Sequence, residues 1–266
     1  TSLINLSLAL ASMPLWLGGM LVVVAATAVC ALLPYLIRRR FKLDTLKANN
    51  EVSGFKYATL GVIYAVLLAF VVLVTWEDYR DAGAGAQDEA CCVLTLYRLA
   101  ASVPEPYRER TRAHLRRYAW SVAGPEWQSM ERGAASHEGR AEIIGLFDLY
   151  GDLALRTPGA SAGLQASLLE LARLNERRNR RIYQAADAIP GVLWTVLLAG
   201  GVLVVGFPLF MGSPHIRAQC AMTGLLAAMV AMVLFVIAVM DHPFTDQVSI
   251  RPEAMMQALE SMGARP

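Results

Sequence analysis

The sequence predicts an all-α integral membrane protein with four transmembrane helices and a helical extramembrane domain inserted between the second and third. Three observations lead there. Of the 266 residues, 56% are hydrophobic and 17% charged, against about 45–50% and about 25% in soluble domains, and mean hydropathy is +0.42. The apolar excess is clumped into four stretches near or above the roughly 20 residues that cross a hydrocarbon core of about 30 Å. Elsewhere the pattern is helical, without strand-like alternation of useful length. A soluble enzyme, a disordered chain and a nucleic-acid binder are thereby excluded.

The first apolar stretch runs from Pro14 to Ile37 and stops at Arg38, Arg39 and Arg40. It is too long for a signal peptide, and its charges follow the apolar run where a signal peptide's would precede it. The second runs from Phe55 to Trp76, with Trp76 and Tyr79 suited to an interfacial aromatic belt. The third spans Val192 to Met211 and the fourth Ala218 to Met240. Each is expected to be helical, because a single span satisfies its own backbone groups in lipid only that way. The expected division is two transmembrane helices with a basic connecting loop (1–76), a helical extramembrane domain (77–188), two more transmembrane helices (189–241) and a tail (242–266).

The insert divides at its prolines and glycines. Glu77 to Val103 has no proline, so the second membrane helix is expected to continue far beyond the bilayer. Pro104-Glu105-Pro106 makes a turn, and Pro106 suits the first position of a new helix. That helix, to Val122, is basic through Arg108, Arg110, Arg112, Arg116 and Arg117, and Gly124-Pro125 is expected to break it. A helix from His137 to Arg156 places Ile143, Leu146, Phe147, Tyr150 and Leu153 on one stripe. Thr157-Pro158-Gly159 ends it, and a last helix, Ala162 to Ala188, buries Leu164, Leu168, Leu171 and Leu174.

Net charge is +2, so no acidic partner is demanded. Cys30, Cys91, Cys92 and Cys220 show no disulfide framework, and the scattered His114, His137, His215 and His242 give no metal-ligand spacing. No nucleophile elbow, phosphate loop, metalloprotease pair or dinucleotide fingerprint occurs, so no catalytic residue, metal or cofactor is expected. For orientation, Arg38, Arg39, Arg40, Lys42 and Lys47 place the first loop in the cytoplasm and the large domain outside. Arg173, Arg177, Arg178, Arg180 and Arg181 before the third span argue the reverse, as do free cysteines. The side stays open.

The runs Asn50-Glu51-Val52-Ser53-Gly54-Phe55, Gly61 to Phe70 and Trp76-Glu77 carry a resemblance, together with Glu89-Ala90, Glu126-Trp127, Pro190 to Trp194 and Asp241-His242-Pro243-Phe244. Over Asn50 to Arg251 the chain resembles a bacterial family of membrane proteins described as bestrophin-like. The layout of two helices, a long helical insert and two helices extends the resemblance to bestrophins. It implies an oligomeric ion channel, pentameric in bestrophins, lined by the second helix of each subunit, with a cytosolic insert. The bestrophin calcium clasp is an acidic cluster near the last membrane helix; Asp241, Asp246 and Glu253 are too sparse for one, so calcium gating is not carried over.

On the second helix, Gly54, Ala58, Gly61, Ala65 and Ala69 form one smooth face. Close helix packing is one reading; a pore-facing or subunit-contact face beside Tyr57 and Tyr64 is the other. No ionisable residue lies mid-span, which argues against a pump or proton-coupled transporter and leaves room for a hydrophobic constriction. The pore-lining candidates are Gly61, Tyr64, Leu68 and Val72, whose larger members share a face that lipid would also suit. Glu77, Asp81 and Asp88 form an acidic stripe with Glu89 adjoining, and Arg112, Arg116, Arg177, Arg178 and Arg181 stand on helices able to pack beside it. An ion-pair lattice is the plainer reading; a charged vestibule concentrating ions is the other. Asp241, Pro243 and Phe244 read as a helix-end cap, with Phe244 folding back onto the membrane interface, or as a gate. Trp127 reads as a core anchor.

The expected function is a homo-oligomeric channel in a bacterial inner membrane, multi-pass, with lipid, inorganic ions and further copies of itself as partners. Anions come first, from the resemblance and the arginine excess. The alternative is a non-conducting scaffold or stress-signalling protein that binds a protein or lipid.

Overall fold

The computed structural model describes residues 15–41, 43, 46, 50–133, 138–156, 162–245 and 249–263. Pro14, Lys42, Lys47, His137, Thr157, Pro158, Gly159 and Asp246, named above, lie outside the described residues. Two compact units form: Thr1–Glu77 with Ile189–Asp241, and Asp78–Ala188 with His242–Pro266. One helix, α2, belongs to both.

In the first unit, helix α1 (Leu15–Arg40) takes in all three arginines at its end. Helix α2 begins at Asn50 and, with no proline to stop it, runs unbroken for 50 residues to Leu99. At about 1.5 Å per residue it reaches roughly 75 Å, more than twice a hydrocarbon core. Helix α7 (Gly191–Gly206) is extended by a 3-10 turn over Phe207–Phe210, and α8 is Ile216–Met240. All four are long and apolar enough to cross a membrane. This is a membrane protein.

Small residues set the packing here. A methyl group added at Gly224 of α8 would stand 3.2 Å from Ala31 Cβ and 3.4 Å from Thr27 Cγ2 of α1. One at Gly19 would meet the Phe235 ring at 2.5 Å. Without water to drive association, such close approach supplies the contact energy between membrane helices. Thr27 and Thr75 donate to the carbonyls four residues back, Val23 and Val71, at 2.6 and 2.7 Å, so their hydroxyls cost nothing in lipid. Val71, Leu197 and Ile237 form the buried centre of α2, α7 and α8, flanked by Leu67, Leu193, Trp194 and Leu234. At one end, the Asn50 amide donates to Gly212 O (2.8 Å) and accepts from Gly212 N (3.0 Å), tying the start of α2 to the loop before α8.

In the second unit α2 continues beside α3 (Tyr107–Ser121), α4 (Trp127–Glu131), α5 (Arg140–Arg156), α6 (Ala162–Ala186) and α9 (Glu253–Ser261). Pro106 caps α3 and Tyr107 is its first residue, one position from the expectation. Gly124-Pro125 does not break the chain's helical course. The winding widens into a π turn over Val122–Glu126 and resumes as α4. A proline clashes with the carbonyl four residues back and offers it no N–H, and here it falls inside the wider π turn, not in a regular α-helical one. On α5, Ile143, Leu146, Tyr150 and Leu153 are buried as expected, whereas Phe147 is 37% exposed and Leu149 takes the inward position. After Met240, α9 buries Met255, Ala258 and Leu259, and Phe244 packs edge-on against Trp127 at 5.6 Å. Phe244 therefore lies in the core of this unit. Trp127 anchors that core, donating to Ile250 O at 3.1 Å.

Candidate functional site

Two arrangements on α2 matter, and they lie on opposite faces of the helix. One face is exposed from Val62 to Thr95. Val62, Val66, Phe70, Leu73, Glu77, Asp81, Ala84, Asp88, Cys91 and Thr95 follow one another at steps of three and four and are all exposed, the spacing of a single helix face. Tyr64, Val71 and Thr75, then Ala82, Ala86, Glu89, Val93 and Leu96, are buried on the other side. The seam is apolar up to Val74, and Glu77 is its first ionisable side chain. Among the described residues Glu77 makes no ion pair, while Asp81 meets Arg180 and Asp88 meets Arg177, each at 3.4 Å and half exposed.

The face chosen from sequence is placed differently. Tyr64 is buried, donates to Leu197 O at 3.0 Å and lies flat on α7. A Cβ at Gly200 would come within 2.6 Å of its ring, and one at Gly201 within 3.0 Å of its hydroxyl. Leu68 and Val72 are half-buried beside Val71 and Leu197. With Ala65, Ala69, Leu73, Trp76 and Val233 they line an open apolar groove of about 590 Å³. A side chain at Gly61 would meet nothing within 4 Å.

The buried face carries an ion network. Glu89 and Arg181 are fully buried. Arg181 donates from Nε to Glu89 Oε2 (2.6 Å) and from Nη2 to Glu89 Oε1 (3.1 Å) and Glu126 Oε1 (2.7 Å). Arg178 Nη2 and Gly139 N donate to Glu126 Oε2 at 3.1 and 3.0 Å, and the Tyr118 hydroxyl donates to Glu89 Oε1 at 2.5 Å. Arg181 also stands 5.5 Å over the Trp127 ring. Two carboxylates and two guanidiniums balance, as burial requires. Burial alone would raise the Glu126 carboxyl; Arg181 and Arg178 outweigh it and hold that group below its usual value. Burial, then Glu89, pushes the Tyr118 hydroxyl well above its ordinary range. Around Glu89, Arg178 and Arg181 the geometry is that of an internal ion-pair lattice.

The remaining candidates have structural partners of their own. Arg112 and Arg116 lie over the Tyr97 ring at 5.0 and 5.5 Å, and Arg116 Nη2 donates to the Tyr97 hydroxyl at 2.8 Å. Asp241 accepts from Ile189 N (2.7 Å) and Trp194 Nε1 (3.1 Å), holding the entry to α7. Pro243 O accepts from Ile250 N at 2.9 Å. Sequence reasoning missed Glu126 and Tyr118 as network members; Glu126 figured only in the resemblance, and Tyr118 follows Arg116 and Arg117 on a basic helix.

The fold is shared with known proteins. A family profile described as a Bestrophin-like domain matches residues 24–255. The chain belongs to the bestrophin-like family. Crystal structures of a bacterial bestrophin homologue from Klebsiella pneumoniae superpose on this bestrophin-like chain. A tryptophan-substituted form has TM-score 0.72 and 13% identity, over 90% of this chain and 94% of that one. A tyrosine-substituted form has 0.68 and 15%, over 92% and 96%. A zinc-phased form has 0.66 and 13%, over 91% and 98%. At such identity the likeness speaks for the fold. Among curated proteins no sequence matches.

Proposed function

We propose that this bestrophin-like protein is one subunit of a homo-oligomeric ion channel in a bacterial inner membrane, with the exposed seam of α2 turned to the shared axis. The carrying observation is the seam itself: from Val62 to Thr95 one face of the helix stays exposed, while Tyr64, Val71 and Thr75, then Ala82, Ala86, Glu89, Val93 and Leu96, are buried on the opposite side. A span that met only lipid would have no reason to keep the same face free beyond Glu77 as far as Thr95. In a ring, five copies being the bestrophin number, each seam residue becomes a ring of side chains. Val62, Val66, Phe70 and Leu73 make an apolar constriction of the kind that gates by dewetting, and Glu77 makes the first charged ring.

The preference proposed is for small cations. The expectation of anions drew on the resemblance and on the arginine excess; of those arginines, Arg178 and Arg181 are buried and neutralised by Glu89 and Glu126. Glu77 is exposed next to the apolar rings, and a ring of carboxylates raises the local cation concentration. Arg80, one turn on, moderates it. No step calls for catalysis: the chain is read as a channel and not an enzyme.

The test is purified protein in planar bilayers. Single-channel currents with a cation-selective reversal potential support the reading, and Glu77→Gln is expected to reduce the cation-to-anion permeability ratio. Silent bilayers across ions and voltages would overturn it in favour of a non-conducting scaffold.

A further inference from the structure

The second unit holds a groove apart from the seam, and Arg178 is the member of the ion network that lines it. It lies between α5 and α6, about 410 Å³ in volume, lined by Arg140, Ile143, Ile144 and Phe147 from one helix and Asn175, Arg178, Asn179 and Ile182 from the other. Each set stands at i, i+3, i+4 and i+7, so two helix faces meet along the groove. The volume is within the range of small-molecule sites.

Its chemistry is one-sided. The lining contains two guanidiniums and two carboxamides and no carboxylate. Arg178 is 3% exposed and spends Nη2 on Glu126, yet its Nε is buried without a hydrogen-bond partner. A buried charged donor left unpaired costs free energy that an acceptor would recover. Arg140, exposed at the other side of the groove, makes no ion pair among the described residues. Opposite the polar groups, Ile144 and Phe147 are 50% and 37% exposed, large apolar surface that the helix pair leaves uncovered.

We propose that this groove is a binding site for a small monocarboxylate with a flat or short apolar body. The carboxylate accepts from Arg178, Arg140 and the Asn175 and Asn179 amides, and the apolar body lies on Ile144, Phe147 and Ile182. A bare inorganic anion would leave the isoleucines and Phe147 wet, and a neutral isostere would leave the arginines unmatched. Charge-assisted hydrogen bonds to guanidinium select the acid. Because Arg178 also holds Glu126, occupancy adds an acceptor to the network that reaches Glu89 on α2.

The experiment is calorimetric titration of the full-length detergent-solubilised protein with benzoate, with benzamide and chloride as comparators; it needs no conduction and stands apart from the channel reading. Benzoate is expected to bind with Kd of about 1 mM or tighter, benzamide not to bind, and chloride at equal concentration to compete poorly. Arg140→Gln, at an exposed position that does not disturb the fold, is expected to weaken benzoate about tenfold. Phe147→Ser is expected to weaken it while leaving chloride unaffected. Absence of benzoate heat, equal binding of benzamide, full competition by chloride, or an unchanged Kd in Arg140→Gln each overturns the proposal.

Discussion

Replacing Arg181 by methionine tests how much the buried network holds the second unit together. The side chain is fully buried and makes three hydrogen bonds of 2.6 to 3.1 Å to Glu89 and Glu126. Methionine fills much of the volume, so the loss is electrostatic: two buried carboxylates remain with Arg178 as their only buried cation. Removing one member of a buried ion network costs about 3–5 kcal/mol. Cys91 and Cys92 provide the assay, because Cys91 is exposed and Cys92 is buried in the same unit. In a background with Cys30, Cys91 and Cys220 replaced by serine, the labelling rate of Cys92 by a thiol reagent reports opening of the core. A cost of that size raises the rate by roughly two to three and a half powers of ten. Arg181→Lys keeps the charge but not the fork that spans both acids, so its rate should fall between. Adding Glu89→Gln to Arg181→Met restores charge balance and should recover part of the loss, an interaction energy the double-mutant cycle measures. A change below about threefold in Arg181→Met, with no coupling to Glu89, refutes the network as a stabilising element.

Acid should loosen the same core. The folded-state pKa of Glu126 lies below its ordinary value of 4.5, so its contribution is complete above 4.5 and is lost as pH falls through the depressed value; Cys92 labelling after brief acid exposure should rise in that window, and Glu126→Gln should flatten the dependence. Gly200→Ala puts a methyl 2.6 Å from the Tyr64 ring, an overpacking cost of about 1–3 kcal/mol visible as a lower unfolding temperature in detergent, which Tyr64→Leu should partly relieve. Asp241→Ala strands the Ile189 N–H and the Trp194 indole at a cost of about 1–3 kcal/mol, with a red shift of Trp194 fluorescence as the local readout.

Much of the architecture could be read from the chain because one-dimensional signals settle it. Four apolar runs give four spans, and the proline-free stretch from Asn50 gives one long helix. Pro125 misled because a π turn absorbs it, a choice made by packing that local propensity does not encode. The helix after Pro252 went unread: at nine residues it is shorter than the window of about 11–18 residues in which apolar periodicity stands out, and it is helical because Met255, Ala258 and Leu259 find a core to enter. The candidate site was half legible. Glu77, Asp81 and Asp88 share one exposed face, as their spacing predicts, because helical spacing fixes a face relative to itself. Spacing does not say which face of an apolar helix turns inward. Tyr64, Leu68 and Val72 share a face, but the glycines that receive Tyr64 are Gly200 and Gly201, far off in the chain. The network joining Glu89, Tyr118, Glu126, Arg178 and Arg181 is likewise tertiary, and no periodicity announces it.

The central claim is that the exposed seam of α2 lines the path taken by ions. It is tested most directly by substituting cysteine singly at Val62, Val66 and Phe70, and at Leu67, Leu68 and Val71, in a cysteine-free protein reconstituted in bilayers. A water-soluble cationic thiol reagent is then applied while current is recorded. Block at the first three positions and none at the second three is the expected result. Block at Leu67, Leu68 and Val71, with Val62, Val66 and Phe70 insensitive, would contradict the account.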